Sequence, residues 1–485
     1  MTQRSSFIDR DDERRELRAL LTEGVPRLAL LTGRRRVGKT YLLTHTWPDE
    51  ITFHFTAART SPEINRRQLL EDFAWWSGEP VEPDDHPTWR SVFRLLLEAR
   101  APGPLVVVID EFPYLASDDA GLAEVASELN AVWERRRSER PMVLVLAGSA
   151  VATMEALATG GSPLYGRFDW HGRLGPFDAW FTAQAAPFAD LADLVRTYAV
   201  FGGTPRYLAA IDPKGRFGDE AIRLLLAPRG EVRQLVETAL DQEEGLRDVT
   251  AYKAVLRAVA AGQTERNEIA QRTGLKNDTG LRARLDRLVE LGYLEAQRNI
   301  GARPNAPYRY RIADAAMRFH QRFVEPNLSL LERSEPGRVW DEMVRPHLST
   351  YVGHVFERVA AEAYDRLATA RDLPLVREWE RFEGRDRAGR SLEIDLVAHL
   401  ATGTVLTGAV KWNRRAAGPR LHHDHLAMVQ RAADSGQRWA HRAQESDAVL
   451  VYVAAGGFTD AFRAALEDEE RRVVAWSLED LYAVA

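Results

Sequence analysis

The stretch Gly33-Arg34-Arg35-Arg36-Val37-Gly38-Lys39-Thr40 has the spacing of a phosphate-binding loop: glycine, four residues, then Gly-Lys-Thr. Glycines let the backbone curl until several amide N–H groups converge on phosphate oxygens. Lys39 is placed to reach the β- and γ-phosphates of ATP, and the Thr40 hydroxyl to ligate Mg2+. The N-terminus of the helix that begins here adds partial positive charge. Residues 33–41, ending with Tyr41, are therefore the expected nucleotide contacts. Asp110 and Glu111 close an apolar run, "PLVVVIDEFPYL", at what reads as the carboxyl end of a buried parallel strand, where ligands bind in open α/β sheets. Asp110 suits Mg2+, directly or through water. Glu111 suits polarising an attacking water, the step that separates hydrolysis from binding. A helix cap at the strand end is the competing use of these acids. A third run, "PMVLVLAGSA", ends in Gly148 and Ser149, a polar tip able to sense a γ-phosphate or to position water.

A second set of chemistry-bearing residues lies near the other end. In "SLEIDLVAHL", Glu393 and Asp395 share one face of a strand, and in "LTGAVKWN" Ala409 and Lys411 share a face of the next. Two acids and a lysine on neighbouring strands resemble a metal-dependent nuclease core from which one carboxylate, at Ala409, is missing. Mg2+ needs oxygen ligands, so Asp395 without a partner acid holds it poorly. Glu393 is the residue able to substitute. A histidine cluster, "RLHHDHL" (His422, His423, His425 around Asp424), has spacings that suit a metal but reads as solvated residues near a helix start.

The elements that must position these residues follow from the chain's patterning. Its 485 residues suggest about three domains. A hydrophobic share of 45% and a charged share of 28% are those of a soluble globular protein. No apolar run is long enough to span a membrane, and the charged N-terminus lacks a signal-peptide core. The absence of cysteine excludes disulfides and fits a cytoplasmic location. A net charge of −6 argues against a surface coated for nucleic acid, though a local basic patch remains open. Between 251 and 312, three amphipathic segments precede two short strands. Leu281, Leu285, Leu288 and Leu291 form the inward stripe of the third, and Gly274 supplies the turn before it. This is the pattern of a winged helix. Lys276, Arg282, Arg284 and Arg287 are its candidate DNA contacts, with Arg298 and Arg303 in the wing. Asp278, Asp286 and Glu290 interleave with them, so a structural or regulatory module is the alternative.

Six stretches in order, "FIDRDDERREL", "GRRRVGKT", "VVVIDEFPYL", "LVLAGSA", "PLYGRFDWHGRLGPF" and "FGGTPRYL", resemble the motifs of the archaeal-type P-loop ATPases related to the AAA+ and STAND groups. The resemblance covers about residues 5–330. It implies a five-stranded parallel core with an extra strand between the two nucleotide-binding strands and a helical lid. It implies that Arg10 lies on the adenine side and that Ser149 is the sensor. Arg167 then contacts phosphate in cis or from a neighbouring subunit of a homo-oligomer, with a structural ion pair as the alternative; Arg206 is a weaker nucleotide-facing candidate. The last segment resembles a domain of unknown function that often follows such ATPases and has the element order of the restriction-endonuclease-like fold. In that motif Glu357, Asp395 and Lys411 occupy the helix, second-strand and third-strand positions. The expected organisation is an α/β P-loop core with lid over 1–245, a winged helix over 246–328 and a degenerate restriction-endonuclease-like domain over 340–485. The expected function is a Mg2+-dependent ATPase acting as a switch or motor, with DNA as a candidate partner. The rivals are an ATP-dependent DNA nuclease and a non-hydrolysing, nucleotide-gated recruitment module.

Overall fold

Apolar, β-branched runs broken by glycine-bearing turns set the architecture. The computed structural model describes residues 7–99, 103–135, 140–243, 246, 248–303 and 305–483. It divides into two units between Pro176 and Phe177.

In the first unit the runs form β1 (Pro26–Gly33), β2 (Thr52–Thr56), β3 (Leu105–Asp110), β4 (Met142–Gly148) and β5 (Trp170–Leu174). All pair in parallel, in the order β2-β3-β4-β1-β5. β4 therefore lies between β1 and β3, the extra strand expected between the two nucleotide-binding strands. Every residue of β3 and β4 is buried, as a strand covered on both faces must be. On one face α1 (Asp11–Thr22) and α2 (Lys39–Thr46) set Leu17, Leu42 and Leu43 against Ala29, Val106 and Val143. On the other, α3 (Pro62–Ser77), α4 (Trp89–Glu98), α5 (Asp119–Arg135) and α6 (Val151–Ala156) bring Leu69, Phe73, Phe93, Leu129 and Met154 against Leu28, Ile109 and Leu144. Each such side chain contributes about 1.5–3 kcal/mol by leaving water. The sheet is thus a stiff platform whose carboxyl edge carries Gly33, Asp110 and Gly148.

The second unit begins with helices Ala179–Ala185, Leu191–Phe201 and Pro205–Leu208. The turn between the last two needs its glycines: Gly202 has φ +67°, and a Cβ on Gly203 would lie 1.7 Å from the Phe177 carbonyl oxygen. Helices Val249–Ala260, Arg266–Thr273 and Thr279–Glu290 follow, the second ended by Gly274 at φ +71°. An antiparallel hairpin, β6 (Leu294–Gln297) and β7 (Arg309–Ile312), comes next. The long helix Arg345–Ala368 then leads into β8 (Val376–Arg385), β9 (Ser391–Leu400), β10 (Val405–Lys411), helix Arg420–Asp434, β11 (Val449–Ala454) and β12 (Arg472–Trp476). This sheet has the order β12-β11-β10-β9-β8; β8 to β10 are antiparallel, β10 to β12 parallel. The sequence reading ends the first domain at 245, which lies outside the described residues. One apolar core joins Val195, Leu225, Leu256, Leu285, Phe319, Phe356 and Val451, so the helices after Pro176 pack with the C-terminal segments. Among the described residues no helix is long and apolar enough to cross a membrane.

Candidate functional site

The phosphate loop joins β1 to α2. Gly33 has φ +153°, and a Cβ there would meet the Leu174 carbonyl oxygen at 2.6 Å. Gly38 caps α2 at φ +96°, and Arg36 is left-handed at φ +73°. A non-glycine residue in that region is strained and persists only where its surroundings dictate it. Lys39 is 6% exposed, and its ammonium donates to the carbonyls of Gly33 (2.7 Å) and Arg34 (3.2 Å). Thr40 Oγ1 donates to Asp110 Oδ2 at 2.6 Å, and the Glu111 N–H to Asp110 Oδ1 at 2.9 Å. Asp110 is 1% exposed. Glu111 stands at φ +53°, and its Oε2 accepts the Ser149 N–H (3.1 Å) and hydroxyl (2.8 Å). Thr40, Asp110, Glu111 and Ser149 thus form one hydrogen-bonded series across the ends of β1, β3 and β4. One hydroxyl and one carboxylate, both hard oxygen donors, fit Mg2+ in a site whose other ligands come from phosphate and water.

The neighbouring candidates are placed as follows. Val37 is buried, and Arg35 Nη2 donates to the Tyr114 hydroxyl at 2.6 Å. Tyr41, 52% exposed, stacks on His45 and Phe7 at centroid distances of 4.0 and 5.2 Å. Arg10 pairs with Asp9 (3.1 Å) and donates to the Gly175 carbonyl. Arg167 is in an intrachain ion pair with Glu134 at 3.1 Å, and Arg206 in one with Glu231 at 2.6 Å.

The candidate DNA contacts on helix Thr279–Glu290 are paired with acids: Arg282 with Asp286 (3.6 Å), Arg284 with Asp248 (3.7 Å) and Arg287 with Glu290 (2.8 Å). Lys276 is exposed. The loop between β6 and β7 is occupied. Asn299 bridges to Arg381 on the edge strand β8, and the Ile300 N–H donates to the Arg381 carbonyl at 2.8 Å. The Asn299 amide exchanges hydrogen bonds with the Glu383 backbone. Ile300, 1% exposed, enters the core beside Phe382 and Trp439. Arg309 pairs with Glu383 at 2.7 Å, and Glu295 with Arg358. Arg298 lies 3.9 Å over the Tyr308 ring, while Arg303 is exposed.

In the C-terminal sheet, Glu357, Glu393, Asp395 and Lys411 come within one another's fields. Asp395 Oδ2 accepts the Val410 N–H at 2.8 Å and lies 3.8 Å from Lys411 Nζ; Glu393 is 3.8 Å from Arg381. Burial, reinforced by Asp395 and Glu393, pushes Glu357 up to about 8 against the pull of Arg311 and Lys411. Burial also raises Asp395, with Lys411 opposing. Ala409 is 7% exposed in an apolar cluster with Leu421, Leu450, Tyr452 and Phe462. Among the described residues no group of three or more His, Asp or Glu is arranged to hold a metal ion, so these acids do not fit one as they stand. The histidines require a correction. His422 and His425 are not solvated but 4% and 5% exposed, bonded to the Tyr452 hydroxyl (2.7 Å) and Thr407 Oγ1 (3.0 Å). They lie on the inward face of helix Arg420–Asp434 with Val429 and Ala432.

Sequence reasoning missed Asn65, Tyr114, Ile300, Glu383 and Arg311. For Asn65 a signal existed: it shares a helix face with Leu69 and Phe73, where a polar residue needs partners.

Fold and site together define a nucleotide-binding α/β domain of the P-loop class. Residues 7–211 match a family of ATPase domains found predominantly in Archaea, and residues 320–426 a family of archaeal and bacterial proteins of unknown function. An uncharacterized protein of Methanocaldococcus jannaschii is 26% identical over 402 residues, 81% of this chain and 84% of that relative. Among solved structures, the Walker-type ATPase of Pyrococcus abyssi is similar at 24% identity and TM-score 0.48, covering 66% of this chain and 97% of its own. The ORC2 protein of Aeropyrum pernix, in ADPNP–ADP complexes, is similar at 15% identity and TM-score 0.44, covering 68% and 96%.

Proposed function

We propose that the chain is a Mg2+-dependent ATPase that works as a nucleotide-driven switch or motor. The observation that carries this is the hydrogen-bonded series Thr40–Asp110–Glu111–Ser149 at the lip of the phosphate loop, with Asp110 and Ser149 buried. Lys39 and the amides at the start of α2 bind the phosphates, and Thr40 and Asp110 hold Mg2+. Bound there, Mg2+ neutralises the charge that develops on the β- and γ-phosphate oxygens. Glu111 accepts the proton of the attacking water, and the two donors of Ser149 orient its carboxylate. Arg167, held by Glu134, is free to exchange that partner for phosphate in a homo-oligomer.

DNA is the proposed partner to test first, through the exposed Lys276 and Arg282 of a winged helix whose wing is engaged elsewhere. The C-terminal domain is proposed to be a nuclease-like fold retained for binding or assembly, because the third-strand position lies in an apolar cluster at Ala409. The experiment is ATP turnover by wild type, Lys39→Ala and Glu111→Gln, with and without duplex DNA, scoring the DNA for cleavage. The expected result is Mg2+-dependent turnover, lowered by about 10²-fold or more in either variant, with intact DNA. Nucleotide binding without turnover in wild type would leave a nucleotide-gated recruitment module. Cleaved DNA would revive the nuclease, with Glu393 the first residue to replace.

A further inference from the structure

Glu111 is held at a left-handed backbone angle, φ +53°, immediately before the 3-10 turn Phe112–Leu115. Such an angle costs free energy in any L residue other than glycine and needs a fixed frame around it. The Tyr114 N–H closes the turn on the Glu111 carbonyl at 2.9 Å. What fixes the turn from outside is Asn65 on α3. Its side chain is 1% exposed and makes three hydrogen bonds. Asn65 Oδ1 accepts the Ala58 N–H at 2.9 Å, and Nδ2 donates to the carbonyls of Ala58 (2.9 Å) and Tyr114 (2.7 Å). The amide orientation is set by these partners, because a flip would point its oxygen at two carbonyls. The loop carrying Ala58 is itself tied to β3, since the Ala57 N–H donates to the Asp110 carbonyl at 2.9 Å. The Tyr114 hydroxyl receives Arg35 of the phosphate loop. One buried amide therefore clamps the exit of β2 to the turn that aims Glu111, and that turn in turn touches the phosphate loop.

Resting on the hydrolysis proposed above, we propose that Asn65 is a positioning residue for Glu111. It touches neither nucleotide nor water; it acts by holding the Glu111 turn within reach of the γ-phosphate. Replacing the NH2 by oxygen in Asn65→Asp keeps the Ala58 N–H bond and sets a carboxylate oxygen against two carbonyls. The turn is pushed away while the phosphate loop, built by other residues, persists. A displacement of about 1 Å at a reacting group lowers rates on the order of 10²-fold.

The experiment uses the full-length chain and measures kcat, KM and the affinity for a fluorescent ADP analogue in wild type, Asn65→Asp, Glu111→Gln and the double variant. The expected result is a kcat lowered roughly 10- to 100-fold in Asn65→Asp, with ADP affinity changed less than about threefold. Because both changes act through one carboxylate, the double variant turns over no more slowly than Glu111→Gln alone. Wild-type kcat in Asn65→Asp, a parallel loss of ADP affinity, or losses that multiply in the double variant would each overturn the proposal. Asn65→Ser, which keeps a donor in a smaller side chain, serves if the aspartate variant is unfolded. Loss of ADP binding in both would assign Asn65 to folding alone and overturn it equally. Absence of Lys39-dependent turnover in wild type defeats the ATPase itself, a result distinct from all of these.

Discussion

At neutral pH the carboxyl of Glu357 should make the protein less stable, not more. Partly buried on helix Arg345–Ala368 and facing Asp395 and Glu393, it is pushed up to about 8 by desolvation, with Arg311 and Lys411 too weak to offset it. A folded-state value above the unfolded one means that the native chain binds this proton more tightly. Its contribution is therefore fully retained below about pH 4.5 and is lost as pH rises toward 8. At pH 7 the unfolded carboxyl is ionised and folding must restore its proton, which costs up to about 3 kcal/mol, from 2.5 pH units at about 1.4 kcal/mol each. Glu357→Gln has nearly the same shape and no charge. It is expected to be more stable than wild type by up to about 3 kcal/mol at pH 7 and equal to it at pH 4.5. Urea unfolding across this range, followed by near-ultraviolet circular dichroism, measures the difference directly. Equal or lower stability of Glu357→Gln at pH 7, or a gap that does not close in acid, would refute the reasoning. Stabilisation of wild type but not Glu357→Gln by Mg2+ or Mn2+ would show that the acids hold a metal after all.

Two further changes probe the second unit. Glu362 accepts the Ala179 N–H (2.9 Å) and the Tyr198 hydroxyl (2.6 Å) and is pushed up to about 6 by burial. By the same sign, its stabilisation is present below about pH 4.5 and lost as pH rises through 6. Glu362→Gln should remove about 2 kcal/mol of slope from that window of the same unfolding series and leave the slope between 6 and 8, which belongs to Glu357. An unchanged slope below pH 6 would exclude the assignment. Ile300→Ala should destabilise the docked loop by about 2–5 kcal/mol and speed amide hydrogen exchange along β8. A loss below about 1 kcal/mol, with β8 protection unchanged, would mean that the loop is not part of that core.

The phosphate loop, Asp110 and Glu111 were legible because each is a local pattern. A glycine-opened turn and two acids closing a buried apolar run need no knowledge of distant residues. The five-stranded sheet was legible for the same reason, since β3 and β4 read as strands covered on both faces. The histidines were misread although the information was present: His422, His425, Val429 and Ala432 recur at three and four residues, a buried face. Residues joined by tertiary contact were not legible. Nothing near Ile300 in the chain announces a partner such as Phe382 or Trp439, and nothing near Glu383 announces Arg309. The β6–β7 loop was read from its hairpin pattern, which says where the loop is but not what covers it.

The surroundings of Ala409 suit an apolar residue. Ala409 lies with Leu450, Tyr452 and Phe462, and the Tyr452 hydroxyl is hydrogen-bonded to His422 Nδ1. His425, beside the same ring, is buried and held by burial down to about 3, so it is neutral at physiological pH. An acid at 409 would enter an apolar cluster, at a desolvation cost that Lys411, already beside Asp395, would have to offset. Asp395, for its part, is already satisfied by the Val410 N–H and Lys411. The charges of Glu357, Glu393 and Asp395 are thus opposed by protein groups, among them Arg311, contributed by the β6–β7 hairpin. With arginine and lysine balancing the three acids, a fourth carboxylate at 409 would add repulsion. The C-terminal sheet and the β6–β7 hairpin are thus joined by charge as well as by the Ile300 contact, through Arg311 at the acids and Arg309 at Glu383.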